Sequence, residues 1–379
     1  MSEKNKLKYA ATCLFGLEKF VGETVDILGY KRLETIEGRV YFEGDISAVA
    51  RCNINFRCAE KLFIILDEFD ADTFDMLFEG VKSIPWERYI RKDDAFPVKG
   101  HTIKSKLHSI PDCQRIVKKA IVERLYSEHH TKTLPETGVK VQIEFFILRD
   151  KAAIMIDTSG AGLYKRGYRQ GTNDAPIRET LAAALALIAR PRHDVLFWDP
   201  LCGSGTVAIE AAMILKNIAP GKSRHFLAEE YHFIPKDIWD KARREAVENE
   251  VDTPFEVWGS DIDADVIKTA RENAKNAGVE VNFFVADVRD IETHGKRGTV
   301  VCNPPYGERL MDINEAEKLY REMGKAFKRL ENWQIYVITS DEYFEKHFGR
   351  PADRKRKLYN GMLKCNYYMY YKKHNLERI

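Results

Sequence analysis

Asn303-Pro304-Pro305-Tyr306 is the stretch of this chain best equipped to act on a planar amine. It follows Gly298-Thr-Val-Val-Cys302, an apolar run that predicts a buried strand, stopped where two prolines cannot donate to a sheet. That places a rigid loop at a strand's carboxyl end, the edge where open α/β sheets bind ligands. The side-chain oxygen of Asn303 and the Pro304 carbonyl can accept hydrogen bonds, and Tyr306 can stack on a planar ring. The exocyclic amine of a nucleobase suits those groups. A lone Asn-Pro-Pro is equally a proline-stiffened connection, so the flanking stretches must decide.

Upstream, Val195-Leu-Phe-Trp-Asp-Pro-Leu-Cys-Gly-Ser-Gly-Thr-Val-Ala-Ile-Glu-Ala-Ala212 predicts an apolar strand, an acid, a glycine turn and an amphipathic helix. Gly203 and Gly205 let the backbone pass close to a ligand, and the helix start offers free N–H groups. Asp199 and Cys202 border that turn, Cys202 as a small tolerated residue rather than a nucleophile. Phe255-Glu-Val-Trp-Gly-Ser-Asp261 alternates as a strand and ends in acids, where Asp261 can accept from both hydroxyls of a ribose. A dinucleotide fold expects a third glycine, where Ala208 stands, and an acid about twenty residues after the glycines. Here a charged segment of helical character, about 220 to 252, intervenes, which disfavours NAD. A third strand, Val281 to Val285, runs into Asp287, a candidate acceptor for an adenine amine.

The chain has 379 residues, 44% apolar and 31% charged, enough for two or three domains. It has no apolar run approaching a membrane span, and Met1 to Tyr9 lacks the core of a signal peptide, so a cytoplasmic location is expected. Seven scattered cysteines without a Cys-x-x-Cys pair, and histidines without ligand spacing, argue against disulfides and against a metal site. The net charge of +2 hides an asymmetry. Residues 81 to 133 carry twelve Lys/Arg against six Asp/Glu, and residues 350 to 373 carry eight basic residues against Asp353 alone, among five tyrosines. Cations among aromatics suit a phosphate backbone with unstacked bases, though any one of them is equally a solvated surface residue.

The positioning elements follow in order. Residues 7 to 60 alternate short strand and helix patterns, with Tyr9 to Cys13 and Arg39 to Phe42 as strands and Gly16 to Leu28 and Ile46 to Asn55 as helices. A strand at Leu62 to Leu66, a helix through Phe74, Leu77, Phe78 and Val81, and a strand from Phe96 into a basic turn come next. A helix begins after Ser109, and strands at Val139 to Leu148 and Ala152 to Asp157 close this half. Glycine-rich Ser159 to Thr172 predicts a linker, and Ala175-Pro176 opens a helix running to Ala189. After the Asn-Pro-Pro loop come a helix over Ala316 to Leu330, a strand over Gln334 to Thr339, a short helix from Glu342 to Phe348, and a hairpin signalled by Asn360-Gly361.

The order of acid, glycine turn, two further strand-end acids and Asn-Pro-Pro-Tyr resembles a class I S-adenosylmethionine-dependent methyltransferase of the amino-methylating kind. Phe96-Pro-Val-Lys-Gly-His with the helix after Ser109 resembles a THUMP domain, and Lys165-Arg-Gly-Tyr-Arg169 with Ala175-Pro-Ile-Arg-Glu-Thr-Leu-Ala-Ala-Ala184 resembles the lead-in of THUMP-containing guanine-N2 methyltransferases of large-subunit rRNA. The resemblance implies an α/β fold: a Rossmann-like class I methyltransferase sheet with an antiparallel terminal strand, preceded by an α+β ferredoxin-like plus THUMP RNA-binding module. It implies a ferredoxin-like domain over 1–60, a THUMP domain over 45–157 that overlaps it, a linker over 158–175 and a methyltransferase domain over 176–379. The implied cofactor is S-adenosyl-L-methionine, held by Asp199, Cys202, Gly203, Gly205, Asp261, Asp287 and Asn303. Asn303, Pro304, Pro305 and Tyr306 are the implied catalytic residues, and Lys99, Lys104, Lys106, Lys118, Lys119, Lys165, Arg166 and Arg169 the implied RNA contacts. The implied partner is RNA, 23S rRNA first and tRNA next, with no membrane. N6-adenine methylation and non-catalytic RNA binding stay open beside guanine N2.

Overall fold

Tyr9, Ala10 and Ala11 are fully buried at the centre of strand β1 (Leu7–Cys13), an inner strand of a mostly antiparallel sheet in the computed structural model. The structure describes residues 6–169, 177–305 and 313–371. Two compact units divide the chain: the first gathers Met1–Cys13, Val21–Leu163 and Arg224–Glu245, the second Leu14–Phe20, Tyr164–Ser223 and Ala246–Ile379.

The first unit continues from β1 through α1 (Glu18–Ile27), β2 (Lys31–Ile36), β3 (Arg39–Gly44), α2 (Ala48–Asn55), β4 (Ala59–Asp70), α3 (Phe74–Ser83), β5 (Val98–Ile103), α4 (Ile110–Glu128), β6 (Ile143–Leu148) and β7 (Lys151–Asp157). Its seven strands form one sheet in the order β2-β3-β1-β4-β7-β6-β5. All neighbours run antiparallel except β5 and β6. The central strand β4 pairs with β1 on one side and β7 on the other, so two sequence patterns share one sheet. Strand β2 escapes the sequence reading because five of its six residues are exposed, leaving no apolar alternation to detect. The segment Arg224–Glu245 is tied to this sheet by the buried Tyr231, whose hydroxyl donates to the Asp157 carbonyl at 2.8 Å.

The second unit contains α5 (Glu179–Ala189), β8 (Leu196–Asp199), α6 (Thr206–Leu215), the end of α7 (Asp237–Glu248), β9 (Val257–Asp261), α8 (Ala264–Ala277), β10 (Asn282–Val285), β11 (Gly298–Cys302), α9 (Ile313–Ala326), β12 (Gln334–Thr339), α10 (Phe344–Phe348), β13 (Arg354–Asn360) and β14 (Leu363–Tyr370). The sheet order is β10-β9-β8-β11-β12-β14-β13. Strands β8 to β12 are parallel, and β14 joins antiparallel to β12, which is the expected class I methyltransferase sheet. Central strands β8 and β11 are buried along their whole length, as continuous apolar runs in a doubly covered parallel sheet should be. Helices α5 and α6, rich in alanine and leucine, pack on each other and are buried on almost every side. Among the described residues, no helix is long and apolar enough to cross a membrane.

Candidate active site

The glycine turn is built where β8 ends and α6 begins. Gly205 has φ +84° at the N-cap of α6, and a side chain there would meet the Phe283 ring 2.7 Å away, so this position needs glycine twice over. Gly203 has φ +50° and faces open space. The turn is held from three sides. The Cys202 N–H donates to the Ser260 carbonyl at 3.0 Å, the Gly203 N–H to Asp261 Oδ2 at 3.0 Å, and Asn273 Nδ2 to the Ser204 carbonyl at 3.0 Å. Asp261 Oδ1 also accepts from the Asp263 N–H at 3.1 Å. Each oxygen of Asp261 thus holds one backbone donor and keeps a second lone pair for a ligand. Asn273, on α8 and 1% exposed, carries no signal in the sequence, because it is one polar residue on an otherwise ordinary helix.

The loop after β11 is held differently. Asn303 Oδ1 is buried and has no hydrogen-bond partner among the described residues. Pro305 offers its carbonyl to the Tyr320 hydroxyl at 3.1 Å, and Tyr320 also meets Thr339 Oγ1 at 3.1 Å. Tyr320 on α9 and Thr339 at the end of β12 are both buried, and neither was singled out in the sequence because each reads as core. Tyr306 lies outside the described residues, as does the Ala175-Pro176 start expected for α5.

Electrostatics separate the two other acids. Asp199, 1% exposed, is pushed up from an ordinary 3.8 to about 8, chiefly by burial and further by the Asp261 carboxylate, against an N–H bond from Leu201. Asp287 is held below the usual carboxylate range by Arg289, whose Nε lies 2.9 and 2.8 Å from its two oxygens. The acceptor expected to meet an adenine amine is therefore occupied by a neighbouring guanidinium, and Arg289 has to yield for that contact to form. Burial also pushes the Cys202 and Cys302 thiols well up, opposite to what a nucleophile needs. The carboxyl edge of the sheet thus brings together Asp199, Cys202, Gly203, Gly205 and Asp261 around one turn. A cleft of about 740 Å³ near Phe255, Val257 and Lys275 lies at the opposite, amino-terminal edge of β9 and β10.

The basic residues sort by burial. Lys99, Lys104, Lys106, Lys119 and Lys165 are exposed, Lys106 pairing with Asp72 at 2.6 Å. Lys118 is drawn inward instead, its ammonium 2.7 Å from both Glu136 oxygens and 3.4 Å from the centre of the Phe96 ring. Arg166 corrects the sequence reading outright: its side chain is 2% exposed and sits 3.4 Å from the fully buried Glu210, to which Tyr168 also donates at 3.1 Å. Arg169 is likewise turned inward, donating to Thr206 Oγ1 at 2.9 Å and to the Ile177 carbonyl at 3.0 Å. Both lie in a stretch without apolar periodicity, which reads as surface until Glu210 of α6 and Glu179 of α5 are seen to be inside.

A positive-φ glycine cradle and a strand-end acid with spare lone pairs are residues that fit S-adenosylmethionine, and beside them stands a buried amide oxygen without a partner among the described residues. Sheet order and site together define a class I S-adenosylmethionine-dependent methyltransferase. Residues 166–369 match the RMKL-like methyltransferase domain, residues 8–63 the RlmL ferredoxin-like domain and residues 71–157 the THUMP domain; the chain belongs to this methyltransferase family. It is 46% identical over 373 residues to "Putative RNA methyltransferase YpsC" of Bacillus subtilis, with 97% of each chain covered. It is 31% identical to "Ribosomal RNA large subunit methyltransferase K/L" of Syntrophotalea carbinolica, covering 95% of this chain and 53% of that protein, so the chain spans about half the length of that relative. Among solved structures, a "predicted N6-adenine-specific DNA methylase" from Listeria monocytogenes is 46% identical with a TM-score of 0.92 and 98% and 97% coverage. "SMU.472, a putative methyltransferase complexed with SAH" is 41% identical, with a TM-score of 0.90 and 99% and 100% coverage.

Proposed function

We propose that this protein methylates RNA at the exocyclic N2 of a guanosine, with 23S rRNA as substrate. The observation that carries the reading is the buried Asn303 oxygen, without a partner among the described residues, beside a proline loop held by Tyr320. A buried acceptor without a donor is costly unless something else supplies the donor, and an amine N–H is such a donor. S-adenosylmethionine supplies a sulfonium-bound methyl group. The chain's task is orientation, worth several kcal/mol when reacting atoms are held close. An exocyclic amine is a poor nucleophile because its lone pair is delocalised into the ring. Hydrogen bonds from its two N–H groups to Asn303 Oδ1 and the Pro304 carbonyl pyramidalise the nitrogen and aim that lone pair. The product nitrogen then loses a proton to solvent, so no strong base is required. The base has to leave its stack to reach this loop, and stacking on Tyr306 is the expected means of holding it.

The RNA reading draws support from the THUMP match, from the names of the relatives, and from the exposed cations Lys99, Lys104, Lys106 and Lys119. We read 1–60 and 45–157 as the ferredoxin-like and THUMP parts, 158–175 as the linker and 176–379 as the catalytic domain. A second reading, N6 of adenine, is favoured by the name of the Listeria structure and by a motif that receives any exocyclic amine. Nucleoside mass spectrometry of 23S rRNA, 16S rRNA and tRNA from a strain lacking the gene separates them. Loss of N2-methylguanosine from 23S rRNA is expected; loss of N6-methyladenosine instead, or a change confined to tRNA, overturns the proposal.

A further inference from the structure

The β13–β14 hairpin rises beside the catalytic loop. Thr339, the last residue of β12, pairs with Asn366, and the hairpin closes with Asn360 opposite Leu363. Its tip, Gly361-Met362, therefore stands three residues or more past the carboxyl edge of the sheet, about 10 Å at the usual rise per residue. Strand β14 is two places from β11, whose end carries Asn303, again about 10 Å at the usual strand spacing.

The surface of this hairpin has two chemistries. Its outer strand carries Arg354-Lys355-Arg356-Lys357. Lys355 pairs with Glu345, and Lys364 on β14 pairs with Glu342 at 3.1 Å, but Arg354 and Lys357 have no acidic partner among the described residues. The Lys357 ammonium lies 5.8 Å from the Phe15 ring centre and 5.3 Å from that of Tyr359, two rings in edge contact. Arg356 fixes the strand by donating to the Gly16 carbonyl at 2.6 Å. At the tip, Met362 is 99% exposed and Leu363 45%.

Cations on an outer strand commonly guard it against pairing with another chain. That explains the lysines and leaves the tip unexplained, since a guard would not end in exposed Met-Leu. An exposed apolar tip on a basic strand is, by contrast, a device with which nucleic-acid-binding proteins wedge between stacked bases while cations further along the strand meet the backbone.

We infer that the hairpin is an RNA-contacting element, with Arg354 and Lys357 on phosphates and Met362 against the stack from which the target base is withdrawn. The inference rests on the RNA reading above. The test uses the full chain, a 23S rRNA transcript, and the variants Met362→Ser, Met362→Leu and Arg354→Ala/Lys357→Ala, all at exposed positions, with thermal melting to verify folding. Met362→Ser should lower kcat/KM for the transcript about tenfold, the scale of one buried apolar side chain, while S-adenosylmethionine affinity and Met362→Leu stay near wild type. The double variant should weaken RNA binding and flatten its dependence on log salt by about 1 to 2. Unchanged kcat/KM in Met362→Ser, with unchanged binding and salt slope in the double variant, overturns the inference. If the wild type binds the transcript without methylating it, the substrate assignment fails, and binding by the double variant alone decides the hairpin. If the wild type binds no RNA, both fall.

Discussion

The Tyr320 hydroxyl donates to the Pro305 carbonyl at 3.1 Å, and since it has one proton it must accept from the Thr339 hydroxyl, also at 3.1 Å. Thr339 in turn accepts from the Asp341 N–H at 3.1 Å. The Asn-Pro-Pro loop is thereby hung from the end of β12 and the middle of α9 by a chain of hydrogen bonds with only one direction open to it. Tyr320→Phe breaks this chain without emptying the core. We expect single-turnover methyl transfer to fall about tenfold or more, the cost of losing one aimed contact, with S-adenosylmethionine affinity unchanged. Equal losses in rate and cofactor binding would show that Tyr320 acts through general folding and not through loop position.

Asn303→Ala separates function from stability. Its oxygen is unpaired in the described protein, so removing it relieves a buried unsatisfied acceptor, and the melting temperature should hold or rise. If the proposed contact is made as the reaction proceeds, turnover should fall about a hundredfold. A variant that is both active and less stable would mean that Asn303 is a structural residue.

Asp199 makes stability depend on pH in an unusual direction. Its folded value of about 8 lies above the ordinary 3.8, so between them the folded protein holds a proton that the unfolded chain has released. Stability therefore declines as pH rises through this window and levels off above it. Asp199→Asn cannot ionise, so its melting temperature should lose this component of the decline between about pH 4 and 8. Parallel wild-type and variant curves would contradict the burial argument.

Arg166 and Lys165 are neighbours with opposite prospects. Arg166→Ala strands the buried Glu210 carboxylate and should cost about 3 to 5 kcal/mol in denaturant unfolding, while Arg166→Met with Glu210→Gln should recover much of it. Lys165→Ala, at an exposed site, should change stability by no more than about 0.5 kcal/mol. If the Arg166 variant instead unfolds like the wild type and binds RNA more weakly, the sequence-based reading of Arg166 as an RNA contact returns.

Local chemistry made the catalytic half legible in advance. Strands β11 and β12 begin and end where apolar runs and prolines say they should, because strand period and turn residues act within a few positions along the chain. The glycine turn and the strand-end acids were legible for the same reason. What only the tertiary structure decided is which of those groups already have partners. The hairpin signal at Asn360-Gly361 resolves one residue later, with Asn360 paired and Gly361-Met362 forming the loop, since register is set by the whole strand pair. Asp287 is taken by Arg289, Arg166 is buried against Glu210, and Tyr320 and Thr339 hold the Pro305 carbonyl. Those last two arrangements join residues fifteen to forty-four positions apart, and burial decides them: a charge or hydroxyl taken from water must find a partner wherever the packed core presents one.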